Sequence, residues 1–172
     1  INDLLAFSRV GRVGVEEFAE VDLGDALDAA LANIDERITE AGGEVEVDGA
    51  LPRVRGDAAL LAGVFQNLIG NAVKFRGDEP PRVTITTTRA GDDWRIDVAD
   101  NGIGIDPEYA ERIFVIFQRL HAKDDYPGTG IGLAMTRKII EYHGGRIWLE
   151  PGNGSGARFA FTLPVPERTP DA

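Results

Sequence analysis

Cysteine is absent from the 172 residues, which removes disulfides, thiolate metal sites and thiol nucleophiles together and fits a reducing compartment such as the cytoplasm. No apolar run approaches the roughly 18 residues of a membrane span, and no charged-then-apolar signal segment opens the chain. Contact with a membrane is therefore not expected. Basic residues are outnumbered, 18 Lys and Arg against 29 Asp and Glu, and the formal net charge of -11 should repel nucleic acid and anionic lipid.

Rival nucleotide-binding patterns fail in detail. There is no Gly-Lys pair and hence no P-loop, and no His-Arg-Asp of a protein-serine kinase catalytic loop. In the glycine sets at 102–104 and 128–132, Pro107, Leu133 or Met135 stands where the last small residue of Gly-x-Gly-x-x-Gly/Ala belongs, which argues against a Rossmann site there. If so acidic a chain binds ATP, it must do so where local donors and a divalent cation neutralise the phosphates, so magnesium follows from the charge balance.

What is present is an ordinary globular composition, 43% apolar and 27% charged, sized for one compact domain with a short extension. The chain opens at Ile1 rather than Met and is read as a fragment. Residues 1–9 carry Ile1, Leu4, Leu5 and Ser8 at helical spacing and look like the end of an amphipathic helix. A short strand is expected over 18–23, a helix over about 25–41 and two short strands at 44–47 and 53–55, joined through Pro52. Asp57 then caps a helix reaching about Phe75. Residues 83–88 and 94–99 form a hairpin, 101–130 a long, partly helical loop, 132–142 a helix, and 146–150 with 157–163 a closing hairpin. The expected fold is a two-layer α/β sandwich, a mixed, mostly antiparallel sheet with helices on one face.

Four segments carry chemistry. On the helix after Asp57, an advance of about 100° per residue puts Asn67, Asn71 and Lys74 within an arc of roughly 60°. Amide oxygens are hard ligands suited to magnesium and an ammonium can meet phosphate, although a solvated helix edge would give the same stripe. Alternation along Trp94–Asp100 aims the Asp100 carboxylate at the layer of Trp94, Ile96 and Val98. An adenine amino group is one donor that could offset its burial, and a turn role where the strand ends is the alternative. Gly102 and Gly104 follow at once, permitting close backbone approach. The second set, Gly128-Thr129-Gly130-Ile131-Gly132-Leu133, runs into a helix whose first-turn N–H groups suit phosphate.

Together these segments resemble the catalytic domain of sensor histidine kinases, within the ATPase superfamily that includes gyrase, mismatch-repair proteins and a heat-shock chaperone. Residues 67–75 resemble the N box, 100–105 the first glycine box, 113–119 the F box and 128–133 the second glycine box, in the family's order. The wording of 118–121 and 126–130 is similar to phytochrome-type kinases. The resemblance implies that Asn71 holds magnesium, that Asn67 neighbours metal or phosphate, that Lys74 contacts phosphate, and that Asp100 accepts from adenine. It casts Gly102, Gly104, Gly128, Thr129, Gly130, Gly132 and Leu133 as pocket and lid residues. Phe114 and Phe117 are core side chains that the resemblance makes lid anchors. Arg119 and Lys123 are further phosphate candidates, unless they are merely exposed basic residues.

By the same resemblance, residues 1–14 are the tail of a dimerisation and phosphoacceptor hairpin with its linker, 15–165 the ATP-binding domain, and 166–172 a C-terminal tail. Its implied partners are that hairpin and the receiver domain of a response regulator. Neither histidine suits the acceptor role: His121 lies in the lid, and His143 at a helix C-terminus, where a cation capping the dipole is expected. Two rivals stay in view. An ATP-hydrolysing relative would commonly place glutamate at position 67, and a nucleotide-free recognition module would have lost Asn71, Lys74 or Asp100.

Overall fold

Apolar residues at alternate strand positions line one face of a five-stranded sheet in the computed structural model, which describes residues 18–115, 132–151 and 156–166. The elements are β1 (Ala19–Asp22), α1 (Leu23–Glu40), β2 (Glu44–Asp48), β3 (Arg53–Gly56), α2 (Ala58–Lys74), β4 (Arg82–Ala90), β5 (Asp93–Asp100), α3 (Gly132–Tyr142), β6 (Ile147–Glu150) and β7 (Arg158–Pro164). Two single 3₁₀ turns, Pro107–Tyr109 and Arg112–Phe114, interrupt the segment after β5.

The sheet order is β2-β4-β5-β7-β6, with β2 parallel to β4 and the other neighbours antiparallel. This is the expected mixed, mostly antiparallel sheet. The segments joined through Pro52 part company: β2 pairs Val45 with Val83 and Val47 with Ile85, whereas β3 pairs Val54 with Val21 in a separate ribbon with β1. The outer positions of the β2 edge are Glu44, Glu46 and Asp48, charges that discourage pairing with another chain.

Helix starts follow from side-chain caps. The Asp57 carboxylate accepts the N–H of Leu60 at 3.0 Å, as expected. Asp22 does the same for Gly24 at 2.8 Å, so α1 begins at Leu23, about two residues earlier than its apolar pattern indicates. From α2, Leu61, Val64, Phe65, Leu68, Ile69 and Ala72 are buried, and Phe65 meets Phe161 of β7 edge to face at 6.0 Å. Truncating so enclosed an aromatic costs about 3–5 kcal/mol. Phe114 is core, as expected, packed edge to face on Phe159 at 6.1 Å.

His143 departs from expectation. It does cap the end of α3, but as a buried neutral ring rather than a cation. Burial pushes its pKa below the ordinary 6.5, outweighing the Ile139 carbonyl and the Asp57 charge. The ring stacks on Phe18 with centroids 4.7 Å apart.

On the sheet's other face, Arg95 grips Asp97 with two nitrogens at 2.8 and 3.1 Å and reaches Glu150 at 2.7 Å. This network leaves the helix-bearing face to the apolar core.

Candidate functional site

Helix α2 is the shared wall. Its C-terminal carbonyl, Phe75 O, accepts the N–H of Ile103 at 3.0 Å and so fastens the loop after β5 to the helix. A Cβ at position 102 would lie 2.5 Å from the same carbonyl, which is why the loop needs glycine there. Gly104 has φ of +78°, and a side chain on it would press on the Gly156 carbonyl at 3.1 Å. Both sequence-predicted glycines are therefore demanded by geometry, one by close approach and one by backbone conformation.

Asp100 serves two purposes through its two oxygens. Oδ1 accepts from Gly102 N at 2.9 Å and from Ala157 N at 3.1 Å. The first bond is the turn role considered for a strand-end aspartate. Oδ2 has no hydrogen-bond partner among the described residues and is not sealed from solvent. Desolvation raises the Asp100 pKa, opposed by the two backbone bonds, so the free oxygen is a strong acceptor for an added N–H donor. Asn101 is structural: its Oδ1 accepts from Arg82 N at 2.7 Å and its Nδ2 donates to Pro80 O at 3.1 Å.

Along α2, Asn67, Asn71 and Lys74 are all half-buried on one stripe that runs about 10 Å at 1.5 Å per residue. Asn67 Nδ2 donates to Gly132 O at 3.3 Å and to Thr136 Oγ1 at 3.2 Å, so this amide ties α2 to the start of α3. Among the described residues the Asn71 side-chain amide makes no hydrogen bond and is not sealed from solvent. The Lys74 ammonium lies 5.0 Å from the centroid of the Phe75 ring. A Cβ on Gly132 would stand 3.8 Å from Asn67 Oδ1, an ordinary contact, so close approach does not by itself require glycine there. Leu133 follows, half-buried and packed on the core.

The structure thus brings Asn67, Asn71 and Lys74 onto the wall, Asp100, Gly102 and Gly104 to one end, and Gly132 and Leu133 opposite Asn67. Arg119, Lys123, Gly128, Thr129 and Gly130, with Phe117 and His121, lie outside the described residues. Among the described residues no cluster of three or more His, Cys, Asp or Glu could hold a metal. Two amides on one helix stripe instead fit a hard cation that keeps water and shares the oxygens of a phosphate ligand. Sequence reasoning missed two contributors, the Ala157 N–H and the Thr136 hydroxyl. The closing hairpin held a signal for the first, since Ala99 pairs with Arg158 and places Ala157 beside Asp100.

A family profile described as histidine kinase-, DNA gyrase B-, and HSP90-like ATPase matches residues 56–167. The phytochrome-like protein Cph1 of Synechocystis is 49% identical over 165 residues, 96% of this chain but 22% of its own length. Cyanobacterial phytochrome A of Nostoc is 50% identical over 165 residues, again 96% of this chain and 21% of its own. The chain therefore spans about a fifth of these curated relatives. Among solved structures, full-length ShkA in complex with AMPPNP superposes with a TM-score of 0.78 at 32% identity, covering 95% of this chain and 34% of that one. The histidine kinase ThkA in complex with the response regulator TrrA superposes with a TM-score of 0.68 at 27% identity, covering 86% and 41%.

Proposed function

We propose that this chain, which belongs to the histidine kinase-, DNA gyrase B-, and HSP90-like ATPase family as a histidine-kinase catalytic domain, binds Mg-ATP and presents the γ-phosphoryl group to a histidine on a separate dimerisation segment. Asp100 Oδ2 accepts the adenine amino group, while Gly102 and Gly104 let the base approach the backbone. Asn71 and Asn67 hold the magnesium side of the triphosphate, and Lys74 supplies a positive charge to it. Magnesium, when bound, neutralises phosphate charge. Arg119, Lys123, Gly128, Thr129 and Gly130 complete the phosphate side from the lid, with Gly132 and Leu133 at the start of α3. Residues 1–14 are the tail of the acceptor hairpin, and a receiver domain takes the phosphoryl group onward; the solved complex of ThkA with the response regulator TrrA supports such a pairing.

The observation that carries this reading is the amide at position 67. An amide cannot take a proton from water, and its nitrogen is committed to α3. That supports transfer to a nucleophile activated elsewhere over hydrolysis. The test is incubation of the chain with radiolabelled ATP, alone and with the separate hairpin. Alone it should bind ATP without labelling itself, and with the hairpin it should yield an acid-labile, base-stable phosphohistidine. Self-labelling of the isolated chain, or release of free phosphate near the enzyme median of about 10 per second, would contradict the assignment.

A further inference from the structure

Thr136, in the second turn of α3, is wholly buried, at 0% exposure. Its hydroxyl donates back to the Gly132 carbonyl at 2.9 Å, the bond a helical threonine makes to the residue four before it. That proton placement leaves only lone pairs facing α2. There Asn67 Nδ2 donates to Thr136 Oγ1 at 3.2 Å and to Gly132 O at 3.3 Å. Two acceptors on α3 select the nitrogen edge of the amide; flipped, its oxygen would face them both. Asn67 Oδ1 makes no hydrogen bond among the described residues and is not sealed from solvent.

We infer that Thr136 is a positioning residue for nucleotide binding, fixing the Asn67 amide so that its oxygen, rather than its NH₂ group, is offered to the magnesium ion that accompanies the nucleotide. This rests on the reading of Asn67 as a neighbour of the magnesium ion. Packing alone does not call for the hydroxyl, because valine fills the same volume at a buried helical position without a polar atom to desolvate. Without the hydroxyl, one weak acceptor contact at 3.3 Å remains to orient the amide. A flipped amide would then turn partial positive charge toward a cation.

The test is titration calorimetry of the 172-residue chain with AMPPNP, in magnesium and in EDTA, for wild type, Thr136→Val, Thr136→Ser and Asn67→Ala. The side-chain NH₂ signals of Asn67 are followed by NMR in the nucleotide-free protein. Thr136→Val should weaken binding about three- to tenfold in magnesium, the worth of one hydrogen bond, and leave the EDTA affinity unchanged. It should also shift the Asn67 signals, and Thr136→Ser should restore both readouts. If Thr136→Val does not fold, Thr136→Ala carries the same expectation. Wild-type affinity in the valine variant, or an equal loss with and without magnesium, would overturn the role of Thr136 if Asn67→Ala still loses magnesium-dependent affinity. Wild-type affinity in Asn67→Ala would instead bring down the reading of Asn67 itself.

Discussion

Nε2 of His143 accepts the backbone N–H of Asp57 at 3.0 Å while Nδ1 donates to the Ile139 carbonyl at 2.7 Å, so one neutral imidazole joins the C-terminus of α3 to the N-cap of α2. Both helices that flank the candidate site are held by this ring. Protonation would put a second hydrogen where the Asp57 N–H already points.

His143 therefore gives stability a pH dependence of known sign. Its folded pKa is lowered from 6.5, so the unfolded chain binds more protons between the two values. The contribution is full above the unfolded value and is lost as pH falls from about 6.5 toward the folded one. His143→Gln should be less stable at pH 7.5 by about 1–3 kcal/mol, the cost of stranding a buried partner. Its stability should fall less than that of wild type between pH 7 and 5. Parallel urea-denaturation profiles against pH would refute the coupling.

Asp100→Asn should cut affinity for an adenine nucleotide by about 10- to 100-fold, the worth of a hydrogen bond to a charged group. Stability should not suffer. The folded pKa of Asp100 is raised above 3.8, so its contribution is full below that value and lost as pH rises through the folded value. The asparagine variant escapes that loss at neutral pH. Calorimetry with an ATP analogue decides the matter, and unchanged affinity would reduce Asp100 to its turn role.

Asn71→Ala should weaken nucleotide binding more in magnesium than in EDTA, because its amide is proposed to act through the metal. Comparing the two titrations is sufficient. An equal loss in both would remove the metal role.

Gly102→Ala should destabilise the fold by about 1–3 kcal/mol and weaken nucleotide binding. The added carbon would sit 2.5 Å from Phe75 O and 3.1 Å from Asp100 Oδ1, so the loop must shift away from α2. A wild-type urea midpoint would mean that the loop relaxes without cost.

The order of elements, the Asp57 cap and the α2 stripe were legible in the sequence because each depends on residues a few positions apart, and helical and strand periods record such neighbours directly. Gly104 was legible for the same reason, its φ of +78° being a local demand of the backbone. Tertiary structure alone decided that Asp100 commits Oδ1 to Ala157, 57 residues away, and that Asn67 meets Thr136, 69 residues away. It also decided that His143 is neutral, since the buried ring lies against Phe18 and against Asp57, 86 residues distant. A titration or an amide orientation is set by the dielectric and the donors around it, and those arrive from chain segments whose pairing leaves no period in the sequence.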